Sequence, residues 1–309
     1  MTLTVDTLRG MWAGLPVPWT SQDELDEAAL RENVRRICRA GAHDVYTHGT
    51  TGEFYAQSEE EWKHVVRATV EECKSEGRPC QIGCTALCTR EVIRRVRVAQ
   101  QTGADGVQIA FPFWLELTDD QAVRFLRDVK DAVPGIPFIL YNTTRSKKPL
   151  TIHLLRQALD AEVPIIGCKG VQNKQELEEF LKIGPQLRFF VGEYDLASNW
   201  SSGARGCYSS FVYACPRFML RYFDLCEQDS EEAKQIEENL KRFVAECVTR
   251  LIRRGMYDTA LDRCFAAMTG FLSGNLLQSR QPYDAATQKD VNDCREWCSS
   301  NLPEFITGV

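Results

Sequence analysis

Pro137-Phe-Ile-Leu-Tyr-Asn142 and Val163-Pro-Ile-Ile-Gly-Cys-Lys-Gly170 are two short apolar runs, and between them lies Thr151-Ile-His-Leu-Leu-Arg-Gln-Ala-Leu-Asp160, whose apolar residues recur at helical spacing. Short apolar runs on either side of an amphipathic helix read as neighbouring parallel strands. The same alternation extends in both directions. Upstream strands are expected at Met11–Val17, Asp44–Thr47, Cys80–Gly83 and Gly106–Ala110; downstream ones at Arg188–Val191 and Gly206–Ser209. With Pro137–Tyr141 and Ile165–Lys169 they make eight. The intervening helices are Asp26–Ala40, Glu59–Ser75, Arg90–Thr102, Asp119–Ala132, Ile152–Ala161 and Lys174–Ile183. Ser58 with Glu61, and Thr118 with Gln121, have capping-box spacing at two helix starts. Gly41, Gly77, Gly103 and Gly184 stand where a left-handed C-terminal cap favours glycine.

Strand and helix in strict alternation define an α/β chain closing into a (β/α)8, or TIM, barrel. An open dinucleotide-binding sheet would show G-x-G-x-x-G after its first strand, and none is there. Beyond Ser210 the strand pattern stops, and helices are expected at Phe211–Glu227, Glu231–Arg253, Met256–Ser273 and Asp284–Ser300. The chain therefore divides into a barrel, 1–210, and a C-terminal helical extension packed on it, 211–309.

The composition fits such a barrel. The chain has 309 residues, 44% hydrophobic and 26% charged, with a net charge of -6. No basic surface recommends nucleic acid or an anionic membrane as a partner. The first ten residues lack the pattern of a signal peptide, and no apolar run reaches the roughly 20 residues that span a bilayer. A cytoplasmic location is expected. Thirteen cysteines are an odd count in a long chain without any Cys-x-x-Cys pair, so reduced thiols packing as small hydrophobes are expected, with no metal.

Barrel chemistry gathers at the C-terminal ends of the strands. Lys169 ends the sixth run, where a charged lysine is costly to bury. Burial there would favour the neutral amine that attacks a ketone. Reaching solvent or pairing with a carboxylate would explain it equally. Tyr141 ends the preceding run, one unit away, where a phenol could relay protons or simply bond to the rim backbone. After the second run comes Gly49-Thr50-Thr51-Gly52-Glu53. Its glycines would let the amides of Thr50, Thr51 and Gly52, and both hydroxyls, face one point as a nest for a carboxylate. Glu53 could cap the next segment or act in catalysis.

These residues in this order resemble the dihydrodipicolinate synthase/N-acetylneuraminate lyase superfamily of class I aldolases. Further matching pieces are Gly103-Ala-Asp-Gly-Val107, Gly167-Cys-Lys-Gly170 and Gly203-Ala-Arg-Gly206. The resemblance covers about Leu8 to Ala214. It implies a Schiff base on Lys169, a proton relay through Tyr141, and Thr50 and Thr51 holding the carboxylate of a 2-oxo acid such as pyruvate. No metal or organic cofactor is implied, since the protonated lysine imine is itself the electron sink. Asn142, Gly192 and Tyr208, at strand ends, complete the expected substrate-binding set with Trp114 and Trp200. A homotetramer is implied as well.

Departures narrow the reading. The lysine-pathway synthase of the superfamily donates a hydroxyl from the loop that here reads Pro112-Phe113-Trp114, and neither aromatic residue can supply one. Thr85–Ile93, Pro112-x-Trp114 and Trp200-Ser-Ser-Gly-Ala204 resemble instead the hydratase-aldolase branch, which cleaves arylidene-pyruvates to pyruvate and an aromatic aldehyde. Trp114 and Trp200 at the cavity mouth would suit a flat apolar substrate, or would serve rim packing or an interface. The expected function is an aldolase that releases or condenses pyruvate with an aldehyde, bulky or aromatic. Alternatives are a Schiff-base dehydratase or deaminase, motivated by Asn142, Thr143, Thr144, Arg145 and Asn199; 4-hydroxy-tetrahydrodipicolinate synthase; and a non-catalytic ligand-binding barrel.

Overall fold

The computed structural model describes residues 2–171 and 173–308. Strand and helix alternate as β1 (Gly10–Gly14), α1 (Glu27–Arg39), β2 (Asp44–Thr47), α2 (Glu59–Ser75), β3 (Cys80–Gly83), α3 (Thr89–Thr102), β4 (Gly106–Ile109) and α4 (Asp119–Ala132). They continue as β5 (Phe138–Tyr141), α5 (Ile152–Asp160), β6 (Ile165–Lys169), α6 (Lys174–Ile183), β7 (Arg188–Val191), α7 (Leu196–Trp200) and β8 (Ala204–Ser209). Every neighbouring pair is parallel and β8 returns to β1, so the sheet closes as a TIM barrel. β1 ends earlier than its apolar run suggested. Pro16 and Pro18 have no N–H to continue a ladder. At the closing seam the backbones nearly touch: a Cβ on Gly206 would stand 2.0 Å from the Gly10 carbonyl oxygen.

Alternation sorts the strand residues into two layers. Met11, Val45, Ile82, Val107 and Phe138 face the surrounding helices, while Trp12, Tyr46, Ile139 and Phe190 fill the interior. Leu3 and Leu8 pack against that interior group from the N-terminal side. In β6 the alternation breaks. Phe138 pairs with Ile165 but Ile139 pairs with Gly167, so one extra residue bulges out of register. Ile165 and Cys168 thereby both face the helices, and Ile166 packs inside. Without the bulge Lys169 would point outward; with it, the ammonium enters the mouth.

Both expected capping boxes form, at Ser58–Glu61 and Thr118–Gln121. Gly41, Gly77 and Gly103 have left-handed φ, whereas Gly184 sits at φ −130°, so its expected left-handed cap does not form. The tail consists of α8 (Pro216–Glu227), α9 (Glu231–Phe243), a π-helical turn at Val244–Val248, α10 (Thr249–Arg253), α11 (Asp258–Thr269), α12 (Gln288–Asn301) and α13 (Pro303–Thr307). Helix runs unbroken from Glu231 to Arg253 as expected, while the other three spans are shorter than expected. α11 stops at a left-handed Gly270, and α12 starts only where Thr287 caps it. Among the described residues no helix is long and apolar enough to cross a membrane. All thirteen cysteines are free, and twelve are buried; only Cys88 is exposed. Cys38, Cys73 and Cys80 lie in thiol–thiol contact beside β3, and Cys247, Cys264 and Cys294 do so in the tail.

Candidate active site

Adjacent strand ends bring Lys169 and Tyr141 together: they are register partners, and the lysine Nζ lies 4.5 Å from the phenol ring centroid. Two more rings complete a cage. Tyr208 of β8 lies 4.8 Å from Nζ and Tyr46 of β2 lies 5.4 Å away. Among the described residues no carboxylate forms an ion pair with Lys169, so its cation meets ring faces instead. Burial pushes the Tyr46 and Tyr208 phenols up, keeping both protonated. The Tyr208 hydroxyl donates to Gln81 Oε1 at 2.7 Å, which directs it down into the barrel. Gly49 has no side chain because a Cβ there would stand 2.7 Å from the Tyr46 hydroxyl.

Above the cage a cavity of about 420 Å3 opens at the C-terminal mouth, lined by Tyr46, Thr50, Tyr141 and an aromatic wall. That wall is a chain of edge-on contacts. Phe113 meets Phe54 at 6.4 Å, Phe54 meets Tyr55 at 5.8 Å, Tyr55 meets Tyr283 at 5.5 Å, and Tyr283 meets Tyr257 at 5.7 Å. Thr85, Thr143 and Arg145 form the polar side, with Arg145 3.0 Å from Asp258.

The nest loop is arranged differently from the expectation. Thr50 lines the cavity, and its carbonyl accepts from Thr259 at 3.1 Å. The Thr51 hydroxyl instead donates to Asp262 Oδ2, so the two hydroxyls do not face one point. Gly52 is buried, with its carbonyl accepting from Gln57 at 2.6 Å. Glu53 neither caps a helix nor reaches the cavity. Its fully buried carboxylate accepts from Trp19 and pairs with Arg263 of α11, and the Arg280 backbone N–H adds a third bond at 3.0 Å. The tail thus clamps the loop from behind.

Other expected site residues stand elsewhere. Asn142 commits its side chain to structure, donating to Glu176 of α6 at 3.3 Å and accepting from the Leu150 amide, on the loop after β5, at 3.0 Å. Gly192, just past the end of β7, is not among the cavity-lining residues, and its carbonyl accepts from the Asp195 amide at 3.0 Å. Trp114 is 73% exposed and outside the cavity, because the loop after β4 sends Phe113 inward and its neighbour outward. Trp200 packs edge-on against Phe223 of α8 at 5.5 Å, in the outer layer. Phe223 also meets His43, just before β2, so this is the far end of the barrel from Lys169. Asn199 is buried on α7, bonded to the Asp195 carbonyl at 2.8 Å.

Two buried carboxyls escaped the sequence reading. Glu193, held by the Ser210 and Phe211 amides at 3.3 and 3.4 Å, is pushed up to about 8 by burial. Asp262 is pushed up to about 6 by burial, against the pull of the Thr51 hydrogen bond. Glu193 directly follows Gly192 at the end of β7, a position the strand-end rule could have flagged. Asp262 lies mid-helix in the tail, and nothing local marks it.

A parallel barrel with a caged lysine on its sixth strand and a tyrosine beside it defines a class I aldolase type of site. The chain belongs to the dihydrodipicolinate synthetase family, whose model matches residues 7–269. It is 30% identical over 228 residues to the trans-O-hydroxybenzylidenepyruvate hydratase-aldolase of Pseudomonas putida, covering 65% of this chain and 66% of that one, just under two thirds of its length. It is 34% identical over 193 residues to a 4-hydroxy-tetrahydrodipicolinate synthase of Thermus thermophilus, covering 60% and 62%. Among solved structures, a dihydrodipicolinate synthase family protein of Coccidioides immitis superposes with a TM-score of 0.86 at 20% identity, over 100% of both chains. PhdJ bound to a substrate intermediate does so at 0.85 and 22%, over 99% of both.

Proposed function

We propose that the chain is a Schiff-base aldolase that cleaves or forms a bond between pyruvate and a bulky or aromatic aldehyde. The observation that carries this is the lysine–tyrosine pair inside the ring cage. A neutral Lys169 amine adds to the ketone carbon of a 2-oxo acid, and loss of water gives the iminium. The iminium draws electrons from the adjacent bond. Cleavage then leaves an enamine on the lysine and frees an aldehyde. Protonation of the enamine and hydrolysis return pyruvate and the amine. The Tyr141 phenol is placed to carry protons to and from the leaving oxygens. The aromatic wall supports a flat aldehyde half, in line with the hydratase-aldolase relative. Phe113 on that wall has no hydroxyl to complete the relay of the lysine-pathway synthase.

Borohydride reduction with pyruvate, followed by peptide mass analysis, tests the reading. An adduct is expected on Lys169 and none in Lys169→Ala; no adduct in the native chain overturns it. Tyr141→Phe is expected to lower kcat by about 100- to 10,000-fold. The polar side of the cavity, Thr143 and Arg145, supports a second outcome of the same imine, dehydration of a hydroxylated 2-oxo acid. A deoxy product without aldehyde would select it. No cofactor is invoked, because the imine is the electron sink. The free, mostly buried thiols support a reducing, cytoplasmic setting. Exposed Leu87, Trp114 and Leu115 support assembly into a homotetramer, which light scattering would detect.

A further inference from the structure

The Thr51 hydroxyl has one proton, and the structure shows where it goes. It is donated to Asp262 Oδ2, on a residue 6% exposed. An ionised Asp262 can only accept, so it holds that proton and leaves Thr51 unable to donate to anything in the cavity. A protonated Asp262 reverses the bond. Its own O–H then donates to the Thr51 oxygen, and the threonine proton is free to turn toward a bound carboxylate.

We infer that Asp262 is a positioning residue that must take up a proton before Thr51 can hold the carboxylate of a 2-oxo acid. The inference rests on the Schiff-base reading only in placing that carboxylate at the Thr50–Thr51 loop. Ligand binding and proton uptake are then one linked event: a carboxylate arrives, and one proton moves from solvent to Asp262. No bond to carbon changes.

The groups facing Asp262 allow this. Burial holds its acid form, raising it to about 6, and Asp258 one helical turn earlier pushes in the same direction. The Lys169 charge pulls the other way, as does the hydrogen bond from Ser210. Arg263, next along α11, is committed to Glu53. Glu193 is the other carboxyl nearby, and at about 8 it titrates in a higher window. Tyr213 donates to the Asp262 backbone carbonyl at 3.4 Å, which fixes the helix without competing for the carboxyl.

Binding of (S)-lactate, a 2-hydroxy acid that cannot form an imine, isolates the carboxylate step. Only the protonated fraction of Asp262 is competent, so the dissociation constant is expected to rise about ten-fold between pH 5 and pH 7. Calorimetry at pH 6 in two buffers of different ionisation heat should show proton uptake on binding. Asp262→Asn keeps the shape but does not titrate, so its binding should be nearly flat over that range. Thr51→Val, which retains Asp262 but has no hydroxyl to release, should also be flat. Binding of equal pH dependence in native chain and Asn variant, or no proton uptake, overturns the inference. Borohydride trapping on Lys169 is run alongside. Trapping without linkage sinks the role of Asp262 alone, whereas linkage without trapping sinks the aldolase reading and leaves an anion site.

Discussion

Lys169 is surrounded by surfaces that favour a positive nitrogen without neutralising it, a setting suited to an iminium whose charge must stay available. The rings, rather than their hydroxyls, are the active part at Tyr208, whose O–H is engaged with Gln81. Tyr208→Phe should therefore trap pyruvate much like the native chain. Tyr208→Leu removes a cation–π contact of about 0.5–2 kcal/mol, so half-maximal trapping should need about 2- to 30-fold more pyruvate. Equal behaviour of the two variants would assign the effect to the hydroxyl. A different residue-scale test concerns Glu53. Arg263→Met strands its carboxylate in the interior, and urea unfolding should show a loss of about 3–5 kcal/mol. Lys169 and Tyr141 were legible because a polar residue ending an apolar run is conspicuous. The partners of Thr51 and Glu53 were not. Asp262 and Arg263 lie more than two hundred residues away, and no local pattern encodes such a contact.

At the scale of the element, local chemistry was most readable where it is self-contained. The Ser58 and Thr118 boxes each close within four residues. Ser58→Ala should cost about 1 kcal/mol in thermal or urea unfolding, with activity retained. Strands were equally plain, since burial on both faces leaves continuous apolar runs. What failed was the direction of side chains on loops. Trp114 and Trp200 were expected at the mouth, but one residue of alternation turns the first outward and a short helix carries the second away. The aromatic surface exists, built from Phe54, Tyr55, Phe113, Tyr257 and Tyr283, loops and tail segments that only the closed fold juxtaposes. The β6 bulge was invisible for a similar reason, as register is a property of two strands.

For the whole molecule, closure of the barrel followed from counting units, but the part played by the tail did not. An appendage was expected; the structure has the tail supply Arg263 to the nest loop, Asp262 to its threonine and Tyr257 to the cavity wall. Barrel and tail should accordingly unfold in one transition. The barrel interior also carries a pH liability. Asp44 of β2 is buried, with Oδ1 lacking a partner among the described residues, and burial and Asp105 raise it to about 9. Because its folded value lies above the unfolded one, stability is full below about pH 4 for this group and declines as pH rises toward 9. Asp44→Asn should flatten that decline, exceeding the native chain by more than about 1 kcal/mol in urea unfolding at pH 8. A steeper decline in the variant would contradict the assignment.

Leu3, Leu8, Trp12, Ile139 and Phe190 plug the barrel below the lysine, and the cavity opens above it at the C-terminal mouth. A covalent intermediate below such a mouth gives the products an order. On the proposed aldolase reading, the aldehyde half rests against the outer aromatic wall, whereas pyruvate remains bonded to Lys169 until hydrolysis releases it. The aldehyde must leave first. Steady-state inhibition should record that sequence: pyruvate competing directly with substrate for the empty enzyme, and the aldehyde inhibiting in a mixed pattern. The opposite pattern would overturn that order.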